Sequence, residues 1–207
     1  DISIEKRKTP ICDVPPMNIG SGPIDDGNLI IEADEYDDFI RREPRAVPFI
    51  HPYIGSYEFI NDKRRYCLWL KDATADDLKL PLIAERVEAV RRFRLSSRRR
   101  ITQLRAETPH LFAEDRYAAV RSLFVPLLSS EHRRYVPIDF VSSDIVVSNL
   151  ALFIADAELF HFGVLTSSVC MAWMRAVGSR FKSDYRFSAS IVYNNFVWCA
   201  PSPAIER

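Results

Sequence analysis

Residues 124–135 read Phe-Val-Pro-Leu-Leu-Ser-Ser-Glu-His-Arg-Arg-Tyr. An apolar run, Leu123 to Leu128, stops at two hydroxyls, and a carboxylate and two guanidiniums follow at once. A second apolar strand pattern, Tyr135 to Val141, then resumes. The spacing predicts two strands joined by a polar turn. A turn on such a stiff support presents donors and acceptors in fixed positions, which makes Ser129, Ser130, Glu131, Arg133 and Arg134 candidate nucleic-acid contacts. Arg fits the two acceptors on a guanine edge, and Glu can accept from cytosine. The serine hydroxyls suit phosphate oxygens or base edges. The same residues also fit a solvated hairpin turn with a local ion pair.

Outward from this stretch, 207 residues make one large domain or two small ones. Net charge is formally zero, so the chain as a whole does not announce a polyanion partner. The charge is unevenly placed, however. Residues 25–38 hold Asp25, Asp26, Glu32, Asp34, Glu35, Asp37 and Asp38, whereas residues 86–105 hold Arg86, Arg91, Arg92, Arg94, Arg98, Arg99, Arg100 and Arg105. A neutral total can hide a basic face, and distribution matters more than pI for nucleic-acid binding. Arginine rather than lysine favours forked contacts.

Residues 1–28 are rich in Pro, Gly, Asp and Asn and read as a leading linker of turns. Asp34 is positioned to cap a short helix over Glu35 to Arg42, limited by Pro44. Phe49 to Ile60 is broken by Pro52 and Gly55 and reads as irregular or short strand. Arg65 to Leu70 is nearly all apolar and predicts a strand buried on both faces. Thr74 can cap a first turn, and Pro81 opens a longer helix with Ile83, Val87, Val90 and Phe93 toward the core. Arg86, Arg91, Arg92 and Arg94 fall largely off that stripe. Arg98, Arg99 and Arg100 follow, with no acidic residue three or four positions away. A solvated helix face and contact to a DNA backbone both fit this run.

Ile145 to Ile154 is a further strand candidate, Gly163 to Val177 a buried helix ending near Gly178, and Phe187 to Val192 alternates like a strand. Between them Arg180, Lys182, Ser183, Tyr185 and Arg186 form a second basic, hydroxyl-bearing loop. Strands and helices mix without βαβ repeats. The expected class is α+β, a mixed or antiparallel curved sheet with packed helices.

Catalytic patterns are missing. Cys12, Cys67, Cys170 and Cys199 have no metal-ligand spacing, and His51, His110, His132 and His161 form no cluster. Gly20-Ser21-Gly22 lacks the strand and helix of a phosphate loop. No run of about 20 apolar residues predicts a membrane span. The first residues are not a signal peptide, and a cytoplasmic, reducing compartment fits the free cysteines. The chain starts without Met and ends at Ile-Glu-Arg, so a fragment of something longer is expected. Trp69, Trp173 and Trp198 are expected in the core.

Several segments, taken in order, resemble one family. They are Pro-Met-Asn-Ile-Gly-Ser-Gly-Pro-Ile-Asp-Asp-Gly-Asn-Leu (16–29), Gly-Ser-Tyr-Glu-Phe-Ile-Asn (55–61) and Arg-Tyr-Cys-Leu-Trp-Leu (65–70). Arg-x-x-Arg-Leu-Ser-Ser (91–97), Val-Pro-Leu-Leu-Ser-Ser-Glu-His-Arg-Arg-Tyr-Val-Pro (125–137) and Phe-Gly-Val-Leu-Thr-Ser-Ser (162–168) follow. The last are Met-Ala-Trp-Met-Arg (171–175), Ser-Arg-Phe-Lys-Ser-Asp-Tyr-Arg-Phe-Ser (179–188) and Val-Tyr-Asn-Asn-Phe (192–196). Together they resemble the target-recognition domain of MmeI-like fused restriction–modification enzymes, types IIL and IIG. Cys170 stands where that pattern has His, and Val197-Trp198-Cys199 replaces Pro-Trp-Pro.

The resemblance implies a domain over 29–200 that reads a short asymmetric site in double-stranded DNA, with 201–207 beginning a C-terminal tail. It implies a partner methyltransferase domain in the same polypeptide, using S-adenosylmethionine on adenine N6, and a nuclease. This chain lacks those motifs and is expected to bind no cofactor and catalyse nothing. Arg91, Arg94, Arg98, Arg99 and Arg100 become backbone-contact candidates, and Glu131, Arg133 and Arg134 base-edge candidates. Ser183, Tyr185 and Arg186 rank behind them as phosphate contacts. Because Ser-Ser-Glu belongs to the shared pattern, it can instead brace the reading loop through ion pairs. The alternative function is a protein-interaction or scaffold domain whose arginines dock an acidic partner.

Overall fold

The computed structural model describes residues 4–199; the tail expected over 201–207 lies outside the described residues. The described chain forms two compact units. One is built from 4–19, 118–143 and 149–199, the other from 20–117 and 144–148. Each has its own apolar core. The α+β class stands, carried by three small sheets.

The first unit centres on the strand Ser122–Pro126, buried along its whole length as its apolar run predicts. It pairs antiparallel with Ala151–Ala155 on one side and Asp139–Val141 on the other. Met17–Ile19, from the turn-rich leading segment, adds an edge strand to Ala151–Ala155. Leu123, Val125, Leu152 and Ile154 send their side chains into a core closed by Cys170, Met171, Met174, Tyr193 and Trp198. Cys170, which departs from the family pattern, is enclosed there, as is Trp198, whereas the flanking departures Val197 and Cys199 are exposed.

The second unit orders its strands Ile30–Glu32, Arg65–Leu68, Ile50–Ile54 and Val146–Val147. Arg65–Leu68 is an interior strand, and Cys67 and Leu68 are fully buried. The helix Pro81–Ser96 begins at its proline and covers this core with Ile83 and Val90. Tyr36–Arg42 is helical, with Glu35 rather than Asp34 at the N-cap position. Gly20 packs so closely on this unit's backbone that a β-carbon there would lie 2.3 Å from the carbonyl oxygens of Val147 and Ser148. The Gly20-Ser21-Gly22 stretch is therefore a backbone contact point.

Three expectations are corrected. Ile145 to Ile154 is two strands: Val146–Val147 pairs parallel with Tyr53 and Ile54, and Ala151–Ala155 belongs to the other sheet. The buried helix is also two, Leu159–Leu165 and Ser168–Val177, because the Ser167 hydroxyl caps the second by accepting from the Cys170 N–H at 3.1 Å. Phe187 to Val192 is not a strand. Ala189–Tyr193 coils into a π-helical turn, and the Trp173 indole donates to the Val192 carbonyl at 2.9 Å.

Candidate nucleic-acid interface

The apolar run 123–128 ends where the strand Leu128–Ser129 pairs with Tyr185 and Arg186. Tyr185 and Arg186 lie on Asp184–Arg186, which pairs in turn with Ser179–Phe181. The second basic loop of the sequence is thus a hairpin, and it joins the Ser-Ser-Glu-x-Arg-Arg turn in one three-stranded sheet. Ser130 makes the turn. Its hydroxyl accepts from the His132 N–H at 3.3 Å and its carbonyl from the Arg133 N–H at 3.1 Å. Asp184 holds the turn against the hairpin by accepting from the Glu131 N–H at 3.3 Å. Arg175 donates to the Arg134 carbonyl at 3.1 Å and fixes the far end.

Within this frame the candidates divide. Glu131, Arg133, Arg134, Lys182, Ser183 and Arg186 are exposed or partly so, with Ser183 at the hairpin's closure. Arg180 is exposed but engaged: it donates to the Ser183 carbonyl at 2.7 Å, lies over the Tyr185 ring at 4.2 Å and stands 3.8 Å from Glu131. The arrangement fits bracing of the loop through an ion pair. Ser130 is half-buried and spent on the turn. Ser129 and Tyr185 are corrections. Both are buried, the tyrosine as the platform for Arg180, and the Ser129 hydroxyl is enclosed without a hydrogen-bond partner among the described residues. Neither presents itself to a phosphate.

The arginine run lies on the second unit. Arg98 and Arg99 lie between the helices Pro81–Ser96 and Arg100–Leu104, and Arg100 opens the second; all three are exposed and none makes an ion pair among the described residues. Arg91 is exposed, paired with Glu88 at 3.3 Å and bonded to the Ala106 carbonyl. Arg94 is the clearest correction. It is 0% exposed, and its guanidinium donates to the carbonyls of Pro23, Ile24, Arg105, Thr108 and Leu111 at 2.8–3.0 Å. A guanidinium has five N–H donors, so none is left for DNA. Burial pushes its pKa down, while Asp25 pulls the other way. Its position is readable in hindsight of the helix: 83, 87, 90 and 94 continue one helical stripe.

A cavity of about 480 Å³ in the second unit is lined by Trp69, Lys71, Arg105, Phe112, Asp115 and Arg116, with Lys71 paired to Asp115 at 2.7 Å and Arg116 to Glu114 at 3.0 Å. Among the described residues no group of three His, Cys, Asp or Glu is placed to hold a metal ion, and no helix is long and apolar enough to cross a membrane.

A small sheet that presents guanidiniums and a carboxylate around a braced turn has the donors and acceptors of a recognition module. The comparisons with known proteins are specific about which. Residues 1–200 match the model of the MmeI target recognition domain, and the chain belongs to that family. It is 40% identical over 197 residues to DNA methyltransferase A of Bacillus subtilis (strain 168), covering 95% of this chain and 22% of that protein. It also superposes, with a TM-score of 0.95 and 38% identity, on a solved structure of the type IIL restriction–modification enzyme MmeI in complex with DNA. That match covers 99% of this chain and 27% of the MmeI chain. The chain thus spans about a quarter of the length of these relatives.

Proposed function

We propose that this chain reads a short sequence in double-stranded DNA as the target-recognition part of a restriction–modification adenine-N6 DNA methyltransferase, and performs no chemistry itself. The observation that carries the reading is the braced turn of Glu131, Arg133 and Arg134 on the Ser179–Arg186 hairpin sheet. It sets a guanine-matching and a cytosine-matching group on a stiff support. Membership in the MmeI target recognition domain family supports it. Arg98, Arg99 and Arg100 supply phosphate neutralisation, which is independent of sequence.

The full-length protein would use S-adenosylmethionine outside this chain. Gly20 is closed against the Val147 and Ser148 carbonyls, so the Gly20-Ser21-Gly22 stretch is not an open glycine-rich cradle. The methyltransferase domain would then be the chain's partner within one polypeptide.

The test is selection from a random duplex pool at two salt concentrations. Enrichment of a short asymmetric motif supports sequence reading, and equal retention of all sequences removes it. One observation favours a second reading, a scaffold domain that docks an acidic protein. Leu95, Ile101 and Leu104 are 57%, 69% and 52% exposed close in sequence to Arg98, Arg99 and Arg100. Retention of a protein partner without salt-sensitive DNA binding would favour it.

A further inference from the structure

The hairpin Ser179–Arg186 carries an exposed aromatic residue whose setting is unlike that of a stray surface phenylalanine. Its register pairs Ser179 with Arg186, Arg180 with Tyr185 and Phe181 with Asp184. Alternate residues of a strand face opposite sides of the sheet. Tyr185 is 7% exposed and belongs to the core, and Arg180 lies over its ring. Ser179, Phe181, Asp184 and Arg186 therefore share the opposite face; Asp184 is half-buried and the other three are exposed, Phe181 at 55%. The hairpin closes through Lys182 and Ser183, with Lys182 at a φ of 55° in the left-handed region. Holding a residue other than glycine there costs about 1 kcal/mol or more. That tight closure keeps Phe181 at the ribbon's tip. Asp184, the residue opposite Phe181, also anchors the Glu131 N–H, so the reading turn and the tip are neighbours.

Charge alone accounts for Lys182 and Arg186 at this tip, and the bond to the Glu131 N–H for Asp184. Neither accounts for a phenyl ring among them, which gains nothing from phosphate and loses apolar burial in water. Base edges in the major groove do offer an apolar group, the 5-methyl of thymine. Dimensions select that groove. At the tip, 181–184, beyond the pairing of Tyr185 and Arg186 with Ser129 and Leu128, only two strands remain, and two strands about 4.8 Å apart with their side chains fit a groove about 12 Å wide and not one of about 6 Å.

Resting on the DNA reading proposed above, we infer that the Ser179–Arg186 ribbon enters the major groove and that Phe181 packs on the 5-methyl group of a thymine in the target. Phe181 is then a specificity residue, and the Arg180–Tyr185 stack on the opposite face holds the ribbon that carries it. Arg186, on the same face, is placed for a phosphate or a guanine next to that thymine.

The test uses the full chain and the duplex it selects. Each thymine is replaced singly by uracil, which removes the methyl group and keeps the base pair. One replacement should weaken wild-type binding about four-fold, the worth of one methyl-sized apolar contact. Phe181→Ala should bind the thymine and uracil duplexes equally, and Phe181→Leu should keep most of the difference. Because Phe181 is exposed, neither variant threatens the core. A selected site with no thymine-sensitive position, or Phe181→Ala with the wild-type ratio, overturns the inference and leaves the DNA reading standing. Failure of the wild type to retain any duplex at low salt overturns both.

Discussion

Glu131 and Arg180 stand 3.8 Å apart, one on the reading turn and one on the outer strand of the hairpin, with Asp184–Arg186 between that strand and Leu128–Ser129. Both are partly solvent-exposed, so the pair itself contributes only about 0.2–1 kcal/mol. The stack of Arg180 on Tyr185 adds about 0.5–1 kcal/mol. Arg180→Ala should therefore lower urea stability by no more than about 2 kcal/mol while freeing Glu131 and blurring sequence preference. Loss of affinity equally for all sequences, with preference intact, would assign Arg180 to phosphate instead.

Arg133 is exposed on the same turn, with its own N–H bonded back to Ser130. Arg133→Ala should relax preference at one base pair by about 1–3 kcal/mol and leave the others unchanged. Competition between the selected duplex and its single-base variants measures this. An unchanged profile removes Arg133 from direct readout.

Burial lowers the His161 pKa below the usual imidazole value, with Glu158 opposing the shift. His110 is lowered too, by burial and then by Arg94 and Arg91. The folded chain thus takes up protons at these sites less readily than the unfolded chain. Their contribution to stability is complete above the unfolded imidazole pKa of about 6.5. It is lost as the pH falls below that value toward the folded pKa. Urea midpoints should drop between pH 7.5 and 5.5, and His161→Gln should flatten part of the drop. An unaltered slope in that variant would place the acid sensitivity elsewhere.

Thiol chemistry separates the cysteines. Cys67 and Cys170 are buried, and burial pushes both thiols up, Cys170 to about 12. Cys199 is exposed and Cys12 half-buried, its sulfur accepting from the Trp198 N–H. Alkylation at pH 8 in native buffer should label Cys199 first and Cys12 next, and should spare Cys67 and Cys170 until urea is added, as peptide mass spectrometry would show. Rapid native labelling of Cys170 would mean that the Ser168–Val177 helix opens.

Elements whose apolar pattern is continuous are legible in the sequence. Ser122–Pro126, Arg65–Leu68 and Pro81–Ser96 all lie where their runs place them. Legibility fails where one apolar run serves two sheets, as at 145–154, because periodicity does not say which neighbour a strand will pair with. It fails again at 163–177, where the Thr166-Ser167-Ser168 break inside a largely apolar stretch supplies a serine cap and starts a new helix. In the candidate interface, composition finds the arginines but not their burial. Charged side chains are so seldom enclosed that the residue type of Arg94 argues for solvent even though its helical phase argues for the core. Phe181 is hidden because its hairpin turns through Lys182-Ser183 rather than a glycine or asparagine pair, so the segment reads as a loop.

The arginines of the second unit give a paired experiment that separates structure from contact. Arg94 satisfies five carbonyls in a buried site. Arg94→Met would leave those acceptors without donors and should cost about 3–5 kcal/mol, as breaking buried charge networks does. Arg98→Ala with Arg99→Ala removes exposed side chains and should leave the urea midpoint within about 0.5 kcal/mol of wild type. That double variant should instead weaken binding to every duplex alike. It should also flatten the log–log salt slope by about 0.9 for each phosphate that is no longer neutralised. A weakening restricted to one sequence would move these arginines to base readout. An unchanged slope would leave the exposed Leu95, Ile101 and Leu104 nearby as the better guide and point to a protein partner on that face.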